Sequence, residues 1–157
     1  MKIDNLLNNV NWSALEGGKY NGGLDSNVNA IAAIGSDIYV GGNFTSAGGV
    51  GNTKYIAKWN GTAWSALGTG TDGSVYALGV IGNDLYIGGY FAAAGRVANT
   101  GNIAKWNGST WSALGIGMDG YSPVFAFAVI VGEGLTVTLA LPELEGQLYF
   151  KLLTVDT

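Results

Sequence analysis

Short runs of apolar and polar residues alternate along most of the chain, and these runs recur at a fixed spacing. Residues 27–73 and residues 74–120 align without a gap over 47 positions, of which 28 are identical. Identity of this extent between neighbouring segments indicates a duplicated structural unit. The sequence therefore predicts two copies of one supersecondary unit in the centre of the chain.

Each copy is predicted to hold four short antiparallel strands joined by tight turns. In the second copy a Gly82-Asn83-Asp84 turn separates the first two strands, and a Gly- and Ala-rich connection precedes the third. Asn107-Gly108, like Asn60-Gly61 in the first copy, is typical of a type I′ hairpin turn, whose two central residues take positive φ. The predicted strands are Val75–Ile81, Leu85–Phe91, Asn102–Trp106 and Thr110–Leu114.

The flanks of the two copies carry parts of the same pattern. Trp12–Leu15 repeats the WSAL of the predicted fourth strand, so the chain is expected to begin with the outer strand of a split unit. Val124–Ile130, Leu135–Leu141 and Gln147–Val155 are expected to supply strands one to three of that unit, or a docking tail. The predicted organisation is therefore an arm with an outer strand (1–26), two repeats (27–73 and 74–120) and C-terminal strands (121–157).

Four antiparallel strands in 47 residues match one blade of a β-propeller. The chain resembles the kelch-like propeller repeat of bacterial and phage proteins, in which a Tyr-x-Gly-Gly strand precedes an aromatic-turn-Trp hairpin. The residues that carry this resemblance are Tyr39, Gly41, Gly42, Trp59 and Trp64, and Tyr86, Gly88, Gly89, Trp106 and Trp111. The resemblance implies an all-β fold of propeller blades.

A ring of blades cannot close within one such chain. Propellers hold about four to eight blades, whereas two repeats and a split unit make three. Bare strand edges are avoided in natural proteins, so we expect the ring to be completed by homo-oligomerisation. Two chains with three blades each, or three chains with two blades each, would both give six blades, and an open array of blades is the remaining alternative.

Composition narrows the function further. Charged residues are 11% of the chain, the net charge is −4, and the seven basic residues are scattered, which disfavours nucleic-acid binding. No apolar run approaches the length of a membrane-spanning helix. The chain has no histidine and no cysteine, which excludes the usual zinc sites, thiol nucleophiles and a Ser-His-Asp triad. The N-terminal residues do not resemble a secretory signal peptide.

Four aspartates invite a catalytic or calcium-binding interpretation because they occupy matching repeat positions. Asp37 and Asp84, and likewise Asp72 and Asp119, lie beside glycine, serine or asparagine in predicted turns, where aspartate caps its own backbone. Calcium loops need several oxygen ligands at close spacing, and each of these turns offers one carboxylate. We therefore expect no catalytic residues, no metal and no cofactor.

The aromatic hairpins are the candidate binding residues. Trp59 with Trp64, and Trp106 with Trp111, flank an Asn-Gly turn, so each pair is expected to lie on one face of a blade. The pairs either pack between blades or form an aromatic platform for sugar rings. In the second case Lys58 and Lys105 would donate hydrogen bonds to hydroxyl groups, and otherwise they are solvated residues of an outer strand.

These observations favour a non-catalytic structural or interaction protein. We expect an oligomeric propeller-repeat subunit that decorates or stabilises a larger assembly such as a virion, as a capsid cement, capsid decoration or tail-fibre module. Its expected partners are further copies of itself and other structural proteins, and its location is a virion or an extracellular surface. The alternative is a carbohydrate-binding lectin or adhesin with aromatic sites between blades.

Overall fold

The computed structural model describes residues 23–116, 118, 123–130, 135–141 and 149–155, and their architecture is all-β. Every regular element in these ranges is a strand, and none is a helix. Each repeat forms one four-stranded antiparallel sheet, and the C-terminal residues form a three-stranded antiparallel sheet. The predicted all-β class and the predicted four strands per repeat are confirmed.

The strands of each sheet follow one another in sequence order. The first sheet contains β1 (Val28–Ile34), β2 (Asp37–Gly42), β3 (Ile56–Trp59) and β4 (Trp64–Ser65). The second contains β5 (Ser74–Ile81), β6 (Asp84–Tyr90), β7 (Ile103–Trp106) and β8 (Trp111–Ser112). The third contains β9 (Ala126–Ile130), β10 (Leu135–Leu141) and β11 (Tyr149–Val155).

The hairpins at the Asn-Gly dipeptides form as predicted, but with a different turn. Gly61 and Gly108 take φ of 94° and 95°, whereas the asparagine before each glycine stays outside the left-handed region. The Oδ1 atom of Asn60 accepts hydrogen bonds from the backbone N–H groups of Thr62 and Ala63, both at 2.9 Å. The predicted type I′ turn is wrong because the asparagine side chain closes a longer, four-residue connection and shortens the outer strand to two residues.

The C-terminal sheet matches the strands predicted for the split unit. β10 has the predicted bounds, and β9 and β11 start two residues later than predicted. The predicted outer strand Trp12–Leu15 lies outside the described residues. The assignment of residues 121–157 to a blade or to a docking tail therefore stays a prediction.

Successive sheets pack face against face. β5 lies against β1 and β2, and β9 lies against β5. The face of the first sheet with Tyr39 and Ile56 meets the face of the second sheet with Leu85, Ile87 and Trp111 in one buried core. We call the face that meets the following sheet the trailing face, and the face that meets the preceding sheet the leading face.

Glycines on the trailing face permit close approach of the next sheet. A Cβ atom on Gly41 of β2 would lie 2.5 Å from Cγ1 of Val75 on β5. A Cβ atom on Gly88 of β6 would overlap the side chain of Val124, directly before β9. The same glycine–valine contact thus joins the first sheet to the second and the second to the third.

Candidate functional site

The tryptophan pairs lie as the sequence predicts. Trp59 is paired directly with Trp64 across the β3–β4 hairpin, and Trp106 with Trp111 across the β7–β8 hairpin. The ring centroids are 5.3 Å apart in the first pair and 5.0 Å apart in the second, with the rings tilted by 52° and 50°. Each pair therefore occupies one face of its sheet.

The second pair packs between two sheets. Trp106 and Trp111 are each 7% exposed and belong to the core that includes Tyr39 and Leu67 of the first repeat. Nε1 of Trp111 donates a hydrogen bond of 2.8 Å to the carbonyl oxygen of Leu67. A Cβ atom on Gly95 would overlap the Trp111 ring. These contacts favour the packing interpretation for this pair.

The first pair lies on the leading face of the first sheet. Trp64 is buried with Val40 and Phe44, and Trp59 is partly buried against that cluster. Among the described strands, none packs against this face from the preceding side. Trp59 is therefore the more accessible of the two tryptophans in this pair.

The two lysines do not join the tryptophans. Lys58 and Trp59 are consecutive in β3, and their side chains point to opposite faces of the sheet. Nζ of Lys58 lies 3.0 Å from a carboxylate oxygen of Asp37, and Nζ of Lys105 lies 2.9 Å from that of Asp84. Asp37 and Asp84 thus bind a lysine on the next strand, and the prediction that they cap their own turns is wrong.

These ion pairs sit beside buried tyrosines. The hydrogen bond that Lys58 donates to Asp37 raises the pKa of Lys58, and the one between Lys105 and Asp84 raises the pKa of Lys105. Tyr39 lies directly opposite Lys58, and burial raises the pKa of the Tyr39 phenol. Both lysines are therefore charged at neutral pH and are already paired.

Asp72 fixes the long connection that follows β6. Its Oδ1 atom accepts hydrogen bonds from the backbone N–H groups of Ala92 at 2.8 Å and Ala93 at 2.9 Å. The prediction of a self-capping turn is wrong here too, because the carboxylate reaches backbone donors about twenty residues further along the chain. Asp119, the corresponding residue of the next unit, lies outside the described residues.

Asp25 makes the same contact one repeat earlier, although the sequence analysis did not single it out. Its Oδ1 atom accepts hydrogen bonds from the N–H of Thr45 at 2.7 Å and of Ser46 at 3.0 Å. The Thr45 hydroxyl also donates to its carboxylate, and this hydrogen bond is the main cause that lowers the Asp25 pKa. The match to Asp72 at a spacing of 47 residues is the signal that could have found it.

Two open clefts lie among the connections that Asp72 organises. The first has a volume of about 300 Å³ and is lined by Asp72, Gly73, Tyr90, Phe91, Ala92 and Asn102. The second has a volume of about 230 Å³ and is lined by Asn52, Thr69, Gly70, Thr71, Asp72, Ala93 and Arg96. A single carboxylate lines both clefts, and its Oδ1 atom already accepts two backbone hydrogen bonds.

The inner strand of the first sheet exposes apolar side chains that its repeat counterpart buries. Val28 is 39% exposed and Ile31 is 58% exposed, and both belong to β1. Val75, at the position of β5 that corresponds to Val28, is fully buried against Gly41. Val28 and Ile31 on the leading side of β1 are thus exposed, whereas Val40 and Trp64 on the same face of the sheet are buried.

An aromatic pair that the sequence analysis did not single out lies on successive inner strands. The rings of Tyr76 on β5 and Phe125 before β9 are stacked, with centroids 5.0 Å apart and planes within 5° of parallel. Phe125 is 48% exposed. Val75 and Val124 begin the same inner-strand pattern, so the residues that follow them, Tyr76 and Phe125, are expected at equivalent positions of neighbouring strands. This match is the signal in the sequence that could have found the pair.

Searches of the described residues give no metal site and no membrane helix. No group of three or more His, Cys, Asp or Glu side chains in this part of the chain could hold a metal ion. No helix there is long and apolar enough to cross a membrane. No protein-family model, no curated protein and no solved structure matches the chain.

Proposed function

We propose that this chain is a non-catalytic structural subunit that works as a homo-oligomer. In this proposal the four-stranded sheets are blades of a propeller, and further copies complete the ring. The completed ring decorates or stabilises a larger assembly, of which a virion with capsid cement or tail-fibre modules is our leading example. The single observation that carries the proposal is the exposure of Val28 and Ile31 on the leading side of β1.

Comparison between the repeats explains why that face is informative. Ile31 is 58% exposed, whereas Leu78, its counterpart on β5, packs partly buried against the first sheet. Burial of one such aliphatic side chain contributes about 1.5–3 kcal/mol. Val28 and Ile31 would gain this stabilisation if a further sheet packed against β1 as the first sheet packs against β5.

The occupant to which we commit is the C-terminal sheet of a second copy. β10 places Ala140 at the register position that Gly41 and Gly88 hold in their sheets, each opposite an alanine of the preceding strand. This position must hold a small residue because the valine of the next sheet packs directly against it. Contact between the leading face of one copy and β10 of another would repeat the packing within the chain.

Native mass at micromolar concentration tests this proposal. We expect the wild-type chain to have about two or three times its mass of 16.2 kDa and the Ile31→Lys variant to be monomeric. Ile116 is 88% exposed, so Ile116→Lys is the matched control and should leave the mass of the wild type unchanged. A monomeric wild type, or an oligomer that tolerates Ile31→Lys, would contradict the proposal.

Cysteine cross-linking tests the occupant, because the natural chain has no cysteine. A Val28→Cys, Ala140→Cys double variant should form covalent oligomers on oxidation. The Val28→Cys single variant should not, because a leading face does not meet another leading face in this arrangement. Cross-linking by the single variant would show a different contact between copies.

A carbohydrate-binding protein remains the second candidate, and one observation favours it. Trp59 is partly accessible on the leading face, where it lies beside Trp64. A sugar-dependent change in tryptophan fluorescence that is lost in Trp59→Ala would support this candidate. Because the ion-paired Lys58 and Lys105 face the other way, substitution of either lysine by methionine should leave such a signal unchanged.

A further inference from the structure

Equivalent positions on three successive units form a row of side chains at the inner strands. Asn29 of β1, Tyr76 of β5 and Phe125 before β9 each directly follow the valine that begins the inner-strand pattern of their unit. Nδ2 of Asn29 donates hydrogen bonds of 3.0 Å to the carbonyl oxygen of Val75, the residue before Tyr76, and to Oδ1 of Asn43. The row therefore consists of an amide, a phenol and a phenyl ring in spatial order.

The aromatic part of this row is not a core contact. The nearly parallel rings of Tyr76 and Phe125 form an offset stack, and about half of the Phe125 side chain is exposed to solvent. The valines beside them, Val75 and Val124, are fully buried. An exposed aromatic surface of this kind is a feature of many ligand-binding surfaces.

The chemistry of the row selects among ligands. Asn29, Tyr76 and Phe125 are all uncharged, so the row offers no cation to a phosphate or a carboxylate. A flat apolar ring face combined with amide and phenol hydrogen-bonding groups suits a neutral pyranose, which presents C–H groups on one side and hydroxyl groups at its edge.

We propose that Asn29, Tyr76 and Phe125 form a binding site for neutral saccharides with flat pyranose rings. The site differs from the tryptophan pairs in its residues and its position, since it lies on the inner strands rather than the outer ones. It does not depend on the oligomer proposed above, because all three side chains belong to one chain. The exposed ring of Phe125 supplies the stacking surface, and Oδ1 of Asn29 and the Tyr76 hydroxyl group supply hydrogen bonds.

Isothermal titration calorimetry with cellohexaose, and separately with chitohexaose, tests the site. We expect saturable binding of at least one of these oligosaccharides, and a loss of affinity of about tenfold in Phe125→Ala, the size of one aromatic stacking contact. Tyr76→Phe keeps the stacked ring and should change the affinity by less than Tyr76→Ala. Circular dichroism and the thermal midpoint will establish that each variant is folded.

Variants of two aromatic residues elsewhere, one exposed and one partly buried, are the controls. Tyr90 is 54% exposed but does not belong to the stack, so Tyr90→Ala should bind as the wild type does. Trp59→Ala should also bind normally, which separates this site from the tryptophan candidate. Absence of saturable binding to both probes, or binding that Phe125→Ala leaves intact, would overturn the proposal.

Native mass of the same variants gives the remaining outcome. If Phe125→Ala lowers the oligomeric mass and has no effect on sugar affinity, the ring is a contact between copies and the saccharide site is wrong. If Phe125→Ala weakens sugar binding at unchanged mass, the site is supported whatever the oligomeric state proves to be.

Discussion

Trp111 of the second repeat donates its indole N–H to the Leu67 carbonyl oxygen of the first, over 2.8 Å. The bond ties the outer hairpin of one sheet to the connection that leaves the preceding sheet. Leu67 is itself buried, and its carbonyl oxygen also accepts the backbone N–H of Gly70 at 3.0 Å. A tryptophan that looked like a candidate sugar platform is therefore part of the joint between two repeats.

The Trp111→Phe substitution should lower the free energy of unfolding by about 2 kcal/mol, because it removes the hydrogen bond and leaves a gap between the sheets. The Leu67 carbonyl oxygen still accepts the hydrogen bond from the Gly70 N–H, so the loss of stability is moderate. Urea denaturation at a fixed protein concentration, followed by circular dichroism, measures the change. Trp59→Phe is the control and should cost less than about 1 kcal/mol; equal losses would mean that the indole N–H contributes nothing to the joint.

The Gly41→Ala substitution should destabilise the protein by about 1–3 kcal/mol, because its methyl group would collide with Val75 of the next sheet. The Val75→Ala substitution in the same chain should recover part of this loss. A double-mutant cycle from urea denaturation measures the coupling between the two positions. Gly51→Ala is the control, since nothing lies within 4 Å of the added atom. Strict additivity of the Gly41 and Val75 effects would contradict the close approach.

The Asn102→Ala substitution should cost about 2 kcal/mol of stability. Asn102 is buried at φ 60°, and its Oδ1 atom accepts the N–H of Phe91 at 3.1 Å. Alanine loses this acceptor and also resists the left-handed backbone. Asn102→Gly tolerates the backbone and loses only the side-chain contacts, so it should cost about half as much. The thermal midpoints of both variants measure the difference, and an equal shift would exclude a contribution from the backbone.

The stability of the protein should fall on acidification in part through Asp25. The Thr45 hydrogen bond lowers the pKa of Asp25 below its ordinary value of 3.8, so the unfolded chain takes up the proton more readily than the folded one. The stabilisation is therefore complete above pH 3.8 and is lost as the pH falls through the lower, folded value. Urea denaturation at stepped pH should show a smaller acid loss in Asp25→Asn. An identical pH dependence of the two proteins would contradict this role.

The repeat and its strands could be predicted from the sequence because periodicity and duplication are local signals. Nearly continuous apolar runs such as Val75–Ile81, the turn residues between them and the 47-residue spacing predicted the number of strands and most of their bounds. The cross-strand tryptophan pairs followed from the same hairpins. The hydrophobic pattern and the repeat therefore predict which segments are strands and which of these strands belong to one sheet.

The contacts between distant segments were not accessible in this way. The bonds from Asp72 to Ala92 and Ala93 cross about twenty residues, and the Asp37–Lys58 pair joins different strands. Local turn chemistry suggested capping because glycine, serine or asparagine lies beside each aspartate. The actual partners of the aspartates lie on other strands and connections, and only the folded arrangement brings them close.

Candidate site residues were harder to predict than the fold. Trp59 and Lys58 are adjacent in sequence and therefore looked like one site, but the alternation of a strand sends them to opposite faces. Tyr76 and Phe125 are far apart in sequence and lie inside or beside apolar runs, so their exposure gave no signal. The exposure of a side chain on a strand depends on which neighbouring sheet covers that strand, and the local sequence does not encode this packing directly.

A small residue on one side of each sheet (Gly41, Gly88 or Ala140) and a valine on the other give the series of sheets a direction. A contact of this kind joins unlike surfaces, so the oligomer proposed above is assembled head to tail. A copy whose leading face is blocked by Ile31→Lys keeps an intact trailing side and can still be added to another chain, but nothing can be added to it in turn. Mixed with the wild type, such a variant would act as a chain terminator, and small amounts of it would open the proposed rings of two or three copies.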